Sequence, residues 1–185
     1  MIAGLLGLQG AFLDHIRHLE SSGAAWRIVK AASDLKLIDR LIIPGGESSV
    51  MKKFLDEFDM VGPLSRQIAA GMPTWGVCAG AVILSEGVDG APGVLRAIPM
   101  AVRRNAYGRH AASGTHGLRI PLFKRRRFPA TFIRAPRILV LDPSAAVHCR
   151  WHGDPVFVQY RRVMVTTFHP ELGEDNVFHQ YFLKI

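Results

Sequence analysis

Thr74-Trp-Gly-Val-Cys-Ala-Gly-Ala-Val-Ile-Leu-Ser85 is the stretch from which the rest of the sequence is read. Thr74 to Val77 reads as a short buried strand and Ala79 to Ser85 as a helix, so Cys78 falls where a strand ends and a helix begins. Gly76 and Gly80 stand two residues to either side of it, which gives the pattern glycine, any residue, nucleophile, any residue, glycine. Such a pair of glycines lets the chain make a tight, strained turn that lifts one side chain clear of the sheet edge. A thiol there meets the free amides and dipole of a helix start, which favour its reactive form. A lone cysteine reads as an ordinary buried thiol, but this setting turns the reading towards a nucleophile.

Outward from that turn, the first half alternates strand and helix. Ile2 to Leu8 is a nearly all-apolar run ended by Gln9-Gly10. Leu13 to Ser22 carries apolar residues at 13, 16 and 19, and Gly23 ends it as a helix ends. Trp26 to Lys30 and Arg40 to Pro44 read as strands, with a short helix over Ser33 to Ile38 between them. Gly45-Gly46-Glu47-Ser48-Ser49 leads into helices over Val50 to Phe58 and Pro63 to Ala70. Alternation of this kind predicts an α/β fold: a three-layer domain over residues 1–185, with a mainly parallel, mixed central sheet and helices on both faces. From Gly87 onward short strands replace helices, at Met100 to Arg103, Leu118 to Ile120, Ala130 to Ile133, Ile138 to Leu141, Val156 to Tyr160 and Val163 to Thr167. These read as antiparallel strands and loops added to the parallel sheet, and Val177 to Leu183 as a closing helix.

Composition agrees with a folded enzyme-sized unit: 49% hydrophobic and 21% charged residues with 18 glycines in 185 residues. Met1 to Gly10 is too short and too glycine-rich for a signal peptide, and two cysteines make no disulfide framework. A cytoplasmic protein is expected. The net charge of +8 fits several partner classes, and the run Lys124-Arg-Arg-Arg127, without interleaved aromatics, reads as a solvated loop rather than a nucleic-acid patch.

A nucleophile needs a base. Phe168-His169-Pro170-Glu171 follows the strand Val163 to Thr167; Pro170 favours an extended His169, and alternation then places His169 and Glu171 on one face. Glu171 can thus hold the imidazole in the tautomer that accepts the thiol proton. Acyl chemistry also needs donors for an oxyanion, and the Ala79 and Gly46 N–H groups are candidates. His148-Cys149-Arg150-Trp151-His152 invites a metal reading, but no second ligand cluster accompanies it and no metal is expected. His15 and His18, at helical spacing, read as a solvated helix face.

With these segments in view, the chain resembles the class I (triad) glutamine amidotransferases and, within them, the glutaminase subunits of pyridoxal 5′-phosphate synthase. The resemblance runs the length of the chain through Gly7-Leu-Gln-Gly-Ala11, Pro44-Gly-Gly-Glu-Ser48, Gly76-Val-Cys-Ala-Gly80, Arg104-Asn-Ala-Tyr-Gly-Arg109, Phe132-Ile-Arg-Ala-Pro136 and Phe168-His-Pro-Glu-Leu172. It implies a flavodoxin-like glutaminase fold and release of ammonia from L-glutamine through a cysteine thioester, with no cofactor. Cys78 is then the nucleophile, His169 the acid and base, and Glu171 its orienter. Gly45, Gly46, Glu47, Arg104, Ile133 and Arg134 would line the glutamine site, with Glu47 on the substrate ammonium and an arginine on its carboxylate. The resemblance further implies docking on a barrel-shaped synthase subunit, with Gln9 and Asn105 coupling docking to activation, and neither nucleic acid nor membrane as partner. The chain departs from the family pattern after Arg109, where it reads His-Ala-Ala-Ser-Gly-Thr-His, and relatives are expected to run on into a longer C-terminal helix. The competing readings are a glutaminase of another pathway, such as imidazole glycerol phosphate synthesis, and a basic nucleic-acid-binding module.

Overall fold

A computed structural model describes residues 1–104, 106, 113–124 and 127–185. Its main sheet has seven strands: β1 (Ile2–Leu6), β2 (Ala25–Val29), β3 (Arg40–Ile43), β4 (Thr74–Val77), β11 (Ala146–Trp151), β12 (Asp154–Tyr160) and β13 (Val163–Thr166). They lie in the order β11-β12-β13-β4-β3-β1-β2. The block from β2 to β13 is parallel, and β12 and β11 extend it antiparallel.

The apolar runs of the parallel strands are buried on both faces, and successive residues point opposite ways. Ala3, Leu5, Ile42 and Trp75 pack on one side with Leu19 of α1 (Ile16–Ser21) and Phe178 and Phe182 of α5 (Val177–Phe182). Leu6, Leu41 and Ile43 pack on the other with residues spaced four apart on two helices: Met51 and Leu55 of α2 (Ser48–Glu57), and Leu64 and Ile68 of α3 (Val61–Ala69). Each such side chain contributes about 1.5–3 kcal/mol by leaving water, so burial of these stripes, rather than intrinsic propensity, fixes where the helices lie.

Three expectations need correction. The later strands do not all join the main sheet. β13 is parallel and sits between β4 and β12, where it completes the parallel block. β5 (Ser85–Val88), β6 (Ala91–Pro92), β7 (Ile98–Arg103) and β10 (Arg137–Val140) form a separate four-stranded sheet, and β8 (Gly114–Leu118) pairs with β9 (Phe128–Phe132) as a two-stranded ribbon. Second, the Leu13 segment is a 3-10 turn over Phe12–His15 followed by α1, and its buried side joins two histidines to Leu19 of the apolar stripe and leaves Leu13 out. His15 and His18 are buried while Leu13 is 58% exposed. Third, Pro170–Leu172 is a 3-10 turn and not an extended segment. At the basic run, Lys124 and Arg127 are exposed, while 125 and 126 lie outside the described residues.

Candidate active site

The parallel block brings the carboxyl ends of β1, β3, β4 and β13 side by side, the edge at which open α/β sheets bind ligands. Each strand end delivers one part of the site: β1 leads to Gln9, β3 to Gly45-Gly46-Glu47, β4 to Cys78 and β13 to His169.

Between β4 and α4 (Ala79–Leu84), Cys78 adopts φ 47° and ψ −97°, a left-handed backbone that a non-glycine residue occupies at a cost of order 1–3 kcal/mol. The flanking glycines make the turn sterically feasible. A Cβ on Gly76 would stand 2.6 Å from the Gly80 backbone, and one on Gly80 would stand 2.1 Å from the Ile43 carbonyl oxygen. The thiol donates a long hydrogen bond to the Ile133 carbonyl, 3.8 Å away.

His169 Nδ1–H donates to Glu171 Oε1 at 2.7 Å, and both side chains are buried. The pair forms because the 3-10 turn after Pro170 folds the glutamate back onto the histidine, a different route from the alternation expected in an extended strand. The His169 N–H donates to the Thr131 carbonyl at 2.8 Å, tying the segment to β9. With Nδ1–H engaged by Glu171, Nε2 is the nitrogen left to take up and release a proton, and it is buried without a hydrogen-bond partner among the described residues. Burial depresses the imidazole's pKa, but the nearby Cys78 sulfur and the Glu171 carboxylate outweigh it and hold it well above its ordinary value, at about 10. The sulfur acts here as a close neighbour and not through a formed hydrogen bond. Burial pushes the Glu171 carboxyl up, and the hydrogen bond from His169 with the surrounding histidines brings it below its ordinary value.

A cavity of about 450 Å³ opens over these strand ends and is lined by Cys78, His169, Gly45, Gly46, Glu47, Arg104, Ile133 and Arg134 among others. That size suits a small polar substrate. Arg104 is preset: Nε and the backbone N–H donate to the Asp89 carboxylate at 2.7 and 2.9 Å, and Nη1 donates to Ser49 Oγ at 3.0 Å. Nothing in the sequence around Asp89 or Ser49 marks them as supports for an arginine beyond Arg104's own place in its motif. Arg134 has φ 45°, and its N–H donates to Ser113 Oγ at 3.3 Å. The Gly45 loop is braced by Ala11 N–H donating to the Gly45 carbonyl at 2.9 Å, and by Glu47 N–H donating to Gln9 Oε1 at 2.9 Å. Neither bond uses the Gly46 N–H, and Ala79 opens α4, where a helix amide has no intrahelical partner. Asn105 lies outside the described residues.

His148 and Cys149 of β11 are engaged elsewhere. His148 bonds Gln159 at 3.2 Å, Cys149 donates to the Arg119 carbonyl, and burial pushes the Cys149 thiol up to about 11. Among the described residues no cluster of three or more His, Cys, Asp or Glu side chains could hold a metal ion.

A profile of the SNO glutamine amidotransferase family matches residues 5–185. The chain belongs to this family. Over its full length this glutamine amidotransferase is 41% identical to the pyridoxal 5′-phosphate synthase subunit PdxT of Clostridium kluyveri, covering 98% of that protein. It is 38% identical to the subunit of the same name from Thermotoga neapolitana, covering 99% of it. Such coverage leaves those relatives no room for a markedly longer C-terminal helix, which corrects that expectation. A solved structure described as a glutamine amidotransferase superposes with a TM-score of 0.91 at 33% identity, over 100% of this chain and 98% of that one. PurLQS from Thermotoga maritima shares the fold at 15% identity and a TM-score of 0.69, over 99% of this chain and 97% of that one.

Proposed function

We propose that this amidotransferase hydrolyses L-glutamine to L-glutamate and ammonia, acting as a single glutaminase domain over residues 1–185 with Cys78, His169 and Glu171 as its triad. The observation that carries the reading is the 2.7 Å His169–Glu171 hydrogen bond beside a strained Cys78 at one end of a substrate-sized cavity. Full-length similarity to proteins named as pyridoxal 5′-phosphate synthase subunits supports ammonia delivery to a synthase subunit that makes pyridoxal 5′-phosphate. Among the described residues no helix is long and apolar enough to cross a membrane, and we place the reaction in the cytoplasm.

In this mechanism His169 Nε2, whose pKa is raised to about 10, holds the proton of the Cys78 thiol while Sγ attacks the amide carbon of glutamine. Charge gathers on the former carbonyl oxygen, which the Ala79 and Gly46 N–H groups receive. The imidazolium, held by Glu171, returns the proton to the departing nitrogen, and ammonia leaves behind a γ-glutamyl thioester. Water then attacks that ester with His169 again as base, glutamate departs and the thiol is restored. Glu47 pairs with the substrate ammonium and Arg104 or Arg134 with its carboxylate, which fixes the amide over the sulfur. Gln9 ties the Gly45 loop to the end of β1, and with Asn105 it couples synthase docking to the readiness of the oxyanion donors.

Glutamate release from the purified chain, with and without a synthase subunit, tests the reading. Cys78→Ala is expected to abolish release while leaving the melting temperature and synthase binding intact. Release that survives this substitution would remove the triad as its cause.

A further inference from the structure

Behind the Glu171 carboxylate lie side chains that the proposed chemistry does not use. His15 and His179 are fully buried, and His15 Nδ1 lies 2.9 Å from His179 Nε2, a hydrogen bond between two imidazoles. His18 stacks on His179 with ring centroids 4.5 Å apart, and Trp75 closes the cluster with edge contacts to His15 and His179. The 3-10 turn that ends in His15 packs directly on the one that holds Glu171. From the same side, Arg17 Nη2 and His18 Nε2 each donate to the Glu171 carbonyl at 3.1 Å. The segment Phe12–Ser21 therefore grips Glu171 by its backbone and packs the His15 turn against the Glu171 turn.

Glu171 Oε2, His15 Nε2 and His179 Nδ1 are buried and have no hydrogen-bond partner from another described residue. A neutral imidazole carries one N–H and one lone pair, so the bond between the two histidines admits two arrangements. If His15 Nδ1–H donates, His15 Nε2 keeps a buried lone pair and His179 Nδ1–H becomes a buried donor with nothing to receive it; both cost free energy. If His179 Nε2–H donates instead, His15 Nε2–H is the buried donor and His179 Nδ1 keeps a buried lone pair. Each arrangement leaves one buried N–H and one buried lone pair, and they differ in which ring offers the N–H; the Glu171 turn packs on that of His15, and its carboxylate, the strongest charged neighbour of His15, favours the N–H there. Burial keeps His15 neutral, pulling it down to about 4, although Glu171 opposes this more strongly than any other charged neighbour does.

We propose that His15, braced by His179, is a positioning residue for the triad. In its Nε2–H tautomer it stabilises the charge on Glu171 Oε2, the carboxylate oxygen that His169 does not use, so that the carboxylate stays ionised and aimed while the imidazole takes up and returns the proton. The inference rests on the glutaminase reading.

Two measurements test it on the full chain with its synthase subunit. Nitrogen-15 NMR of histidine-labelled protein at neutral pH is expected to show His15 neutral and protonated on Nε2. His15→Leu, which removes the donor, is expected to lower kcat for glutamine hydrolysis by about ten- to a hundredfold with KM nearly unchanged. His15→Gln, which restores an N–H donor on that side, should recover most of the loss. An Nδ1–H tautomer at His15 overturns the proposal whether or not a variant folds, as does wild-type kcat in His15→Leu or an equal loss in both variants. Wild-type protein without glutaminase activity, or activity that survives Cys78→Ala, is a separate failure and sinks the glutaminase reading instead.

Discussion

His169 and His15 are the same side chain in the same apolar interior, and the protein drives them in opposite directions. Burial depresses both pKa values. At His169 a carboxylate 2.7 Å away and a neighbouring sulfur overcome it, and the ring rises to about 10. At His15 the direct partner is another neutral imidazole, the attraction of Glu171 is not enough, and the ring falls to about 4. The difference teaches that burial keeps a histidine here neutral unless close charged partners outweigh it.

Breaking the favoured partner should therefore matter more than disturbing the surroundings. His169→Asn is expected to have the largest effect, about a thousandfold or more on kcat/KM, because it removes the proton acceptor itself. Glu171→Gln keeps the shape of the pair but withdraws the charge; a loss of about a hundredfold in kcat is expected, and NMR titration should find the His169 pKa lowered towards that of His15. If the titration does not move, bonding is not what separates the two rings. Gly45→Ala should cost about ten- to a hundredfold, since the added methyl would stand 2.4 Å from His169 Cε1 and must push the ring aside.

The smallest effect on rate and the sharpest contrast lie in the pH dependence of stability. His169 has a raised folded pKa, so its contribution is complete below about 6.5 and is lost as pH climbs to about 10. His15 has a depressed folded pKa. Its contribution is present above about 6.5 and is lost as pH falls towards 4, a change on the order of 3 kcal/mol. His179, also lowered well below its ordinary value by burial, adds to the acid-side loss. Glu171, His18, His169 and Asp14 all act on His15 in this window. Melting curves are thus expected to peak near pH 6.5, and His15→Leu should flatten the acid side while leaving the alkaline side in place. An unchanged acid slope in that variant would remove His15 from the contrast.

Much of this was legible in the sequence, and the failures have a common physical origin. The inner strands β1, β3, β4 and β13 announce themselves as short apolar runs because both faces of each are covered, and the turn at Cys78 is marked by glycines whose necessity is local. β5, β6 and β11 escaped because their stability comes from pairing with strands remote in sequence. β11, for example, reads Ala-Val-His-Cys-Arg-Trp with a bulge at Cys149 and no clean alternation. On the segment carrying His15 and His18, Leu19 is buried as the apolar spacing predicts, but Leu13 is exposed and the imidazoles go inward, since each finds a polar partner there. Asp89 and Ser49 carry no signal of their own, because holding an arginine still asks only for an acceptor at the right spot.

The insertion of β13 between β4 and β12 has a consequence for how the protein becomes active. The strand that delivers the imidazole is laid down late in synthesis, yet it must enter the interior of the sheet against the strand that delivers the thiol. Until it does, the nascent chain carries the Cys78 turn without the base proposed for it, and the proposed chemistry waits on that pairing.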